Sequence, residues 1–201
     1  EAVSLLLKSG VWSLIRQRPY DIIPSPETLP RDIYISCFDS APLAPDYGFI
    51  LKGKEKFIQA AIDVLSKMTS GKIHLGIKAG NPELFNQFSN TEKHYFEGPH
   101  PAGNVGVHIH HTRPINKGET IWYINIQDLV IIGKLFLRGI FDTTKTIAVT
   151  GPGVTEPVYI ETKTGSQVSG MFQLKDKTKP YRIISGNFLN GTQLSENGFL
   201  D

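Results

Sequence analysis

The chain of 201 residues has a single cysteine, Cys37, so no disulfide framework joins its parts and no cysteine-rich zinc site can be assembled. It lacks a charge bias. Against 21 Lys and Arg stand 19 Asp and Glu, a formal charge of +2 with no basic stripe, and nucleic acid is not an expected partner. It lacks a long apolar run. Leu129–Phe136 is interrupted by Gly133 and Lys134 and falls short of the roughly 20 residues that a membrane-crossing helix needs, so the chain is expected to be soluble by itself. The glycine patterns of nucleotide and hydrolase chemistry are missing too. The one Gly-x-Gly, Gly151-Pro152-Gly153, has Glu156 where a third glycine would stand and runs into a strand pattern rather than a helix, which leaves no cradle for a pyrophosphate. No Walker-type Gly-Lys-Ser/Thr, Gly-x-Ser-x-Gly or His-Glu-x-x-His occurs,. There is no initiator methionine either. The chain opens at Glu1 inside a helical pattern and stops just after Asn197-Gly198, so it reads as a piece of something longer.

What is present alternates. Val3, Leu6, Leu7, Val11, Leu14 and Ile15 recur at helical spacing and predict one helix over residues 1–15, closed by Pro19, with Lys8, Arg16 and Arg18 as its charged side,. Pro24, Pro26 and Pro30 predict an extended loop. Asp32–Phe38 reads as a strand, with Cys37 an inert buried thiol near its end, and Asp39-Ser40 and Asp46 read as turn formers,. Lys54–Met68 carries a strong apolar helical stripe, and Ile73–Ile77 is a second strand,. Asn81-Pro82 is suited to open a short helix, with Asn81 as its cap,. Thr120–Ile124 reads as a strand running into Asn125, which caps a helix Ile126–Arg138 with Asp128 answering at the third position,. This order predicts an α/β fold with a mostly parallel, Rossmann-like sheet and flanking helices. From Lys145 the pattern changes to short β runs, Thr146–Thr150, Val158–Thr162 and Tyr181–Ser185, between Gly, Pro and Lys turns. A domain boundary is predicted near 142–156, giving domains at 1–145 and 146–201.

Five of the six histidines fall within residues 94–111, among Gly98, Pro99, Pro101, Gly103 and Gly106. Such punctuation predicts a rigid irregular loop, and loops of this kind tend to carry function. In extended backbone His108 and His110 would share one side and His111 the other. Three readings follow: a zinc site using His108, His110 and His100; imidazoles bonding backbone groups inside the loop; or contact with a carbonyl-bearing ligand such as a quinone. For zinc, Glu97 is the one carboxylate close by in sequence and a further ligand would have to come from far away, so no metal centre is expected here.

Several segments together resemble one family. Glu97-Gly98-Pro99-His100-Pro101-Ala102-Gly103 followed by His108-Ile109-His110, the run Ile121–Asp128, Ile132–Phe136, Ala148–Pro152, Ser9–Trp12, Arg16–Tyr20 and Ile183–Gly186 resemble the A subunit of the bacterial sodium-translocating NADH:quinone oxidoreductase over nearly the whole chain. The resemblance implies a Rossmann-like domain followed by a truncated soluble-ligand-binding β-grasp domain. It also implies that an N-terminal barrel-like domain and a C-terminal region lie outside this stretch. Flavoprotein relatives, in respiratory complex I and in a ferredoxin-linked ion pump, hold FMN and NADH with a glycine-rich loop after the first helix. That position reads Ser13–Tyr20 here without a glycine, so no cofactor is expected in this chain. NADH, flavins, an iron–sulfur centre and quinone are implied for the complex. The membrane-embedded flavin subunit is implied to be a neighbour, and the cytoplasmic face of the inner membrane the location. Quinone contact would fall to His108, His110, Trp122 and Tyr123. The rival implication is a scaffold role with no substrate contact, and a zinc-binding enzyme domain is the more distant alternative.

Overall fold

The helical stripe at the start of the chain breaks at Gly10, whose φ of 80° is left-handed. Glycine takes that conformation without a Cβ clash, and a left-handed residue ends a helix. A computed structural model describes residues 1–80 and 83–200. It has α1 at Ala2–Lys8, a 3-10 turn at Val11–Leu14 and a short strand β1 at Arg16–Arg18. The single helix expected over 1–15 is thereby corrected. Arg16 and Arg18 sit on a strand, because the turn at Gly10 redirects the chain and Arg16–Arg18 pairs with residues 121–123.

Next come β2 at Ile33–Ser36, α2 at Tyr47–Ile50, α3 at Glu55–Leu65, β3 at Ile73–Lys78, α4 at Glu83–Asn86, β4 at Glu92–Phe96, α5 at Val105–Thr112, β5 at Ile121–Asn125 and α6 at Ile126–Arg138. Asp46 is more than a turn former: its side chain accepts from the Phe49 amide and caps α2. The expected helix opening at Asn81-Pro82 lies outside the described residues. At α6 the chain turns directly from strand to helix. Asn125 is the cap residue, but its side chain reaches Asp128 Oδ2 at 3.3 Å instead of a helix amide.

The sheet runs β1-β5-β2-β3-β4, with β5, β2, β3 and β4 mutually parallel and β1 antiparallel at the edge. Alternation along the strands sorts side chains by face. Ile33, Ile35, Ile73, Leu75, Ile77, Trp122 and Ile124 join Phe57, Ile58, Ile62 and Leu65 of α3 and Leu129, Val130 and Ile132 of α6 in the main core. Trp12 meets Trp122 edge-on there, 5.4 Å between centroids. Gly133 lets the two helices close up, since a Cβ at that position would overlap the Phe57 carbonyl. The other face carries Tyr34, His74, Ile121 and Tyr123, and α5 lays Val105 and Ile109 against part of it. This is the mostly parallel α/β architecture that the alternating pattern predicts.

Thr143–Asp201, together with Ala41–Pro45, forms a second unit. Its hairpins are antiparallel: β6 at Thr144–Val149 with β7 at Val158–Lys163, and β8 at Ile183–Ser185 with β9 at Thr192–Leu194. Ala41 and Val168 are its buried hydrophobic residues among those described. No helix among the described residues is long and apolar enough to cross a membrane.

Candidate functional site

The stretch expected to be one irregular loop supplies most of β4 and all but the last residue of α5. Its turn-forming glycines and prolines end at Gly103, and Asn104 adopts the extended conformation of a helix cap,. Val105 and Ile109, four apart, then fall on one helical face and bury against Tyr34 and Ile121,. Tertiary burial thus decides for helix where local composition argues for loop. The geometric argument for His108 and His110 changes with it. Two residues apart on a helix, they point about 200° away from each other. His108 is 1% exposed, whereas His110 is on the surface, where its ring stands edge-on to His111 at 5.3 Å.

His108 is held on every side. Its ring lies between Phe96 at 4.2 Å and Phe38 at 5.5 Å, above Gly76, where a Cβ would overlap it. Nε2 lies 2.8 Å from the Ala102 carbonyl, which can only accept, so Nε2 carries the proton, and Nδ1 is buried without a hydrogen-bond partner. Burial pushes its pKa down to about 4, and the bond to Ala102 offsets this only in part. His108 is neutral at physiological pH. His100 is also engaged internally, Nδ1 lying 3.2 Å from Ser40 Oγ, which in turn accepts from the Gly103 amide.

Trp122 and Tyr123 are neighbours on β5 and so face opposite sides of the sheet. Trp122 is 1% exposed in the main core. Tyr123 is half-buried on the other face, donating to Asp21 Oδ1 at 2.8 Å with the Arg18 guanidinium 4.9 Å over its ring. The four residues expected to meet a quinone therefore occupy separate places and form no common pocket.

The structure gathers a different set. His74, the one histidine outside the 94–111 stretch, lies in β3 on the same face as Tyr34, its ring stacked on the tyrosine at 4.5 Å. Nδ1 of His74 is 2.9 Å from Nε2 of His94 and 3.6 Å from Oε2 of Glu92, both on β4. On the other side of the ring, Nε2 faces the fully buried Asp32 at 3.5 Å. Asp32 accepts from the Lys72 amide at 3.1 Å, Arg31 at 2.7 Å and Arg113 at 3.2 Å. Burial by itself would raise the Asp32 pKa, but these donors and His74 hold it below the usual carboxylate range. Burial lowers the His74 pKa, against the opposing pull of Asp32 and Glu92. A period-two signal for this cluster is present in the sequence, in Ile73-His74-Leu75-Gly76-Ile77 and Glu92-Lys93-His94. The second of these runs is masked, because it leads straight into the Gly/Pro stretch and has few apolar residues to mark it as a strand.

Comparison with known proteins places the chain. Residues 1–141 match a family model described as the NqrA second alpha/beta domain, and residues 146–196 match one described as the NQRA C-terminal domain. The chain belongs to the NqrA family. Among curated members, all named for the A subunit of Na(+)-translocating NADH-quinone reductase, that of Yersinia pseudotuberculosis serotype O:1b is 40% identical over 192 residues, covering 94% of this chain and 42% of the relative. That of Photorhabdus laumondii is 40% identical over 194 residues (95% and 43%), and that of Vibrio campbellii 35% over 190 residues (94% and 42%). The chain thus spans less than half the length of these NqrA relatives. Two crystal structures of an NAD+-reducing [NiFe]-hydrogenase share the fold at 14% identity. The H2-reduced state has a TM-score of 0.58 over 84% of this chain and 38% of that one, and the air-oxidized state 0.63 over 100% and 47%.

In this NqrA family member the glycine-free stretch Ser13–Tyr20 is tied into the sheet edge. Arg16–Arg18 pairs in register with Tyr123, Trp122 and Ile121, and the Gln17 amide donates to the Ile22 carbonyl at 2.7 Å. Backbone groups committed to a ladder cannot also converge on an anion.

Proposed function

We propose that this chain is the α/β and β-grasp part of a peripheral subunit on the cytoplasmic face of a Na+-translocating NADH:quinone oxidoreductase. In this reading NADH, the flavins and the iron–sulfur centre belong to other subunits. This chain contributes to assembly, notably against the membrane-embedded flavin subunit, and to quinone interaction. The observation that carries it is the match of residues 1–141 and 146–196 to the two NqrA family models, and the pairing of β1 into the sheet agrees with a chain that holds no flavin itself. Of the two contributions, assembly is the better supported, because His108 and Trp122 are fully engaged in internal packing. Quinone contact rests on Tyr123, half-buried beneath Arg18 on β5, one strand in from the edge segment that leads to the exposed Tyr20, Ile22 and Ile23. An aromatic face beside a polar group suits a flat ring with carbonyl acceptors.

The test is made in the assembled complex with Tyr123→Phe and His110→Ala. If the chain serves assembly alone, both variants leave the quinone KM within about twofold, a difference of under 0.5 kcal/mol. A rise of about fivefold or more for Tyr123→Phe, on the order of 1 kcal/mol, with the complex intact, establishes quinone contact at this residue instead.

A further inference from the structure

We propose that His74, His94 and Glu92 form a binding site for a divalent transition-metal cation of the zinc class, with Asp32 orienting His74. The sequence leads to no such expectation, because the ligands sit on two adjacent strands and two of them, His74 and Glu92, lie outside the histidine-rich stretch. In the parallel register His74 stands opposite Glu92, and Gly76 opposite His94. Glu92 and His94 therefore flank His74 on a single face of the sheet. One ligand atom from each residue can be chosen so that all three lie within 4.8 Å of one another.

The distances suit a shared ion. With metal–ligand bonds near 2.0–2.1 Å, two ligands of a tetrahedral zinc are about 3.3 Å apart. The His74–Glu92 separation of 3.6 Å already lies near that value, and the His74–His94 separation of 2.9 Å has to open by about half an ångström,. Rotation of the His94 and Glu92 side chains provides for this, since Glu92 is exposed and His94 only partly buried.

His74 is set up as a ligand more firmly than a chance surface histidine. Its ring plane is fixed by Tyr34, and Nε2 points at a buried carboxylate that is itself anchored by three donors. Nε2 is buried 3.5 Å from Asp32 Oδ1 and makes no hydrogen bond in this structure, so a shift of a few tenths of an ångström lets an Nε2–H donate to that carboxylate and leaves the Nδ1 lone pair facing His94 and Glu92. With that bond closed it is the carboxylate–histidine–metal arrangement that sets the tautomer and basicity of a ligand histidine. With His74 in that tautomer, His94 donates from Nε2 to His74 without the ion and takes the ion up as its Nδ1–H tautomer,. Two imidazoles and one carboxylate select a borderline cation such as Zn2+ over Ca2+ or Mg2+. The solvent-exposed side at Glu92 leaves a fourth position for water. Binding would clip the edge strand β4 to β3.

The experiment is isothermal titration of the complete, EDTA-treated subunit with Zn2+, together with absorption spectroscopy using Co2+ as a probe of tetrahedral geometry. The expected result is one stoichiometric site, with a tetrahedral Co2+ spectrum. Affinity should fall about tenfold or more in both His94→Ala and Glu92→Gln, since each removes one of three protein ligands. Both substitutions are at accessible positions, and circular dichroism confirms that the variants fold; if His94→Ala does not, Glu92→Gln decides. The proposal is overturned if the wild-type subunit takes up no stoichiometric Zn2+. It is equally overturned if the site survives both substitutions but is lost in His110→Ala or His111→Ala, the exposed histidine pair.

Discussion

Burial of an imidazole has a measurable consequence at His108. The unfolded ring titrates near 6.5 and the folded one near 4, because desolvation disfavours the charged form,. Between those values the unfolded chain binds a proton that the folded chain does not, so stability rises with pH across the window. The contribution is fully present above about pH 6.5, is lost as pH falls toward 4, and is on the order of 3 kcal/mol,. Burial of His74 acts in the same direction. Urea unfolding followed by tryptophan fluorescence at a series of pH values should show this slope, and His108→Gln should flatten it. An unchanged slope in the variant would mean that other groups carry the effect. Gly76→Ala makes a companion test. A Cβ there collides with the ring, so the variant should lose about 1–3 kcal/mol and share the flattened pH dependence, because a displaced His108 is no longer desolvated.

Glycines separate the roles of two helices. Gly133 in α6 lies against the backbone of α3, and adding a methyl group must push the helices apart. Gly133→Ala should therefore destabilise by about 1–3 kcal/mol despite the better helix propensity of alanine. Gly106 in α5 has open space around its Cβ position. Gly106→Ala should be neutral or stabilise by up to about 1 kcal/mol, because only propensity changes. Thermal melts should fall in Gly133→Ala and hold or rise in Gly106→Ala, and a large loss in Gly106→Ala would show that α5 depends on an interaction not evident in its packing. α5 also shows why local sequence misplaces its histidines. The Gly/Pro density before it is real turn chemistry, but the helix exists because Val105 and Ile109 cover the sheet. That partnership depends on residues 34 and 121, which no local window contains.

The two units differ in how much core they own. The main core, including both tryptophans, lies within residues 1–142. The second unit buries little apolar surface beyond Ala41 and Val168. A fragment of residues 1–142 should therefore unfold cooperatively, with fluorescence reporting Trp12 and Trp122. A fragment of residues 143–201 should show only a broad transition by circular dichroism, since so small a core leaves little net stability. A sharp transition in the isolated second fragment would contradict this.

Local periodicity determines the elements whose signals are self-contained. The run Ile126–Arg138 is legible at both ends because Asn125 stands at its start and Gly139, left-handed at φ 70°, just past its end,. The parallel class follows from the alternation of β2, α3, β3, β5 and α6. Local pattern also carries the family motifs, whose residues are contiguous. What it cannot determine is convergence. Trp122 and Tyr123 adjoin in sequence and so suggest one site, yet a strand sends adjacent side chains to opposite faces, and only the position of β5 between β1 and β2 decides what each face meets. Asp32, His74 and the Glu92/His94 pair are far apart along the chain. They meet because the crossovers set the order β2-β3-β4 and the register places Glu92 beside His74. Strand order and register arise from packing the whole sheet against its helices, a collective free-energy minimum to which no short segment holds the information.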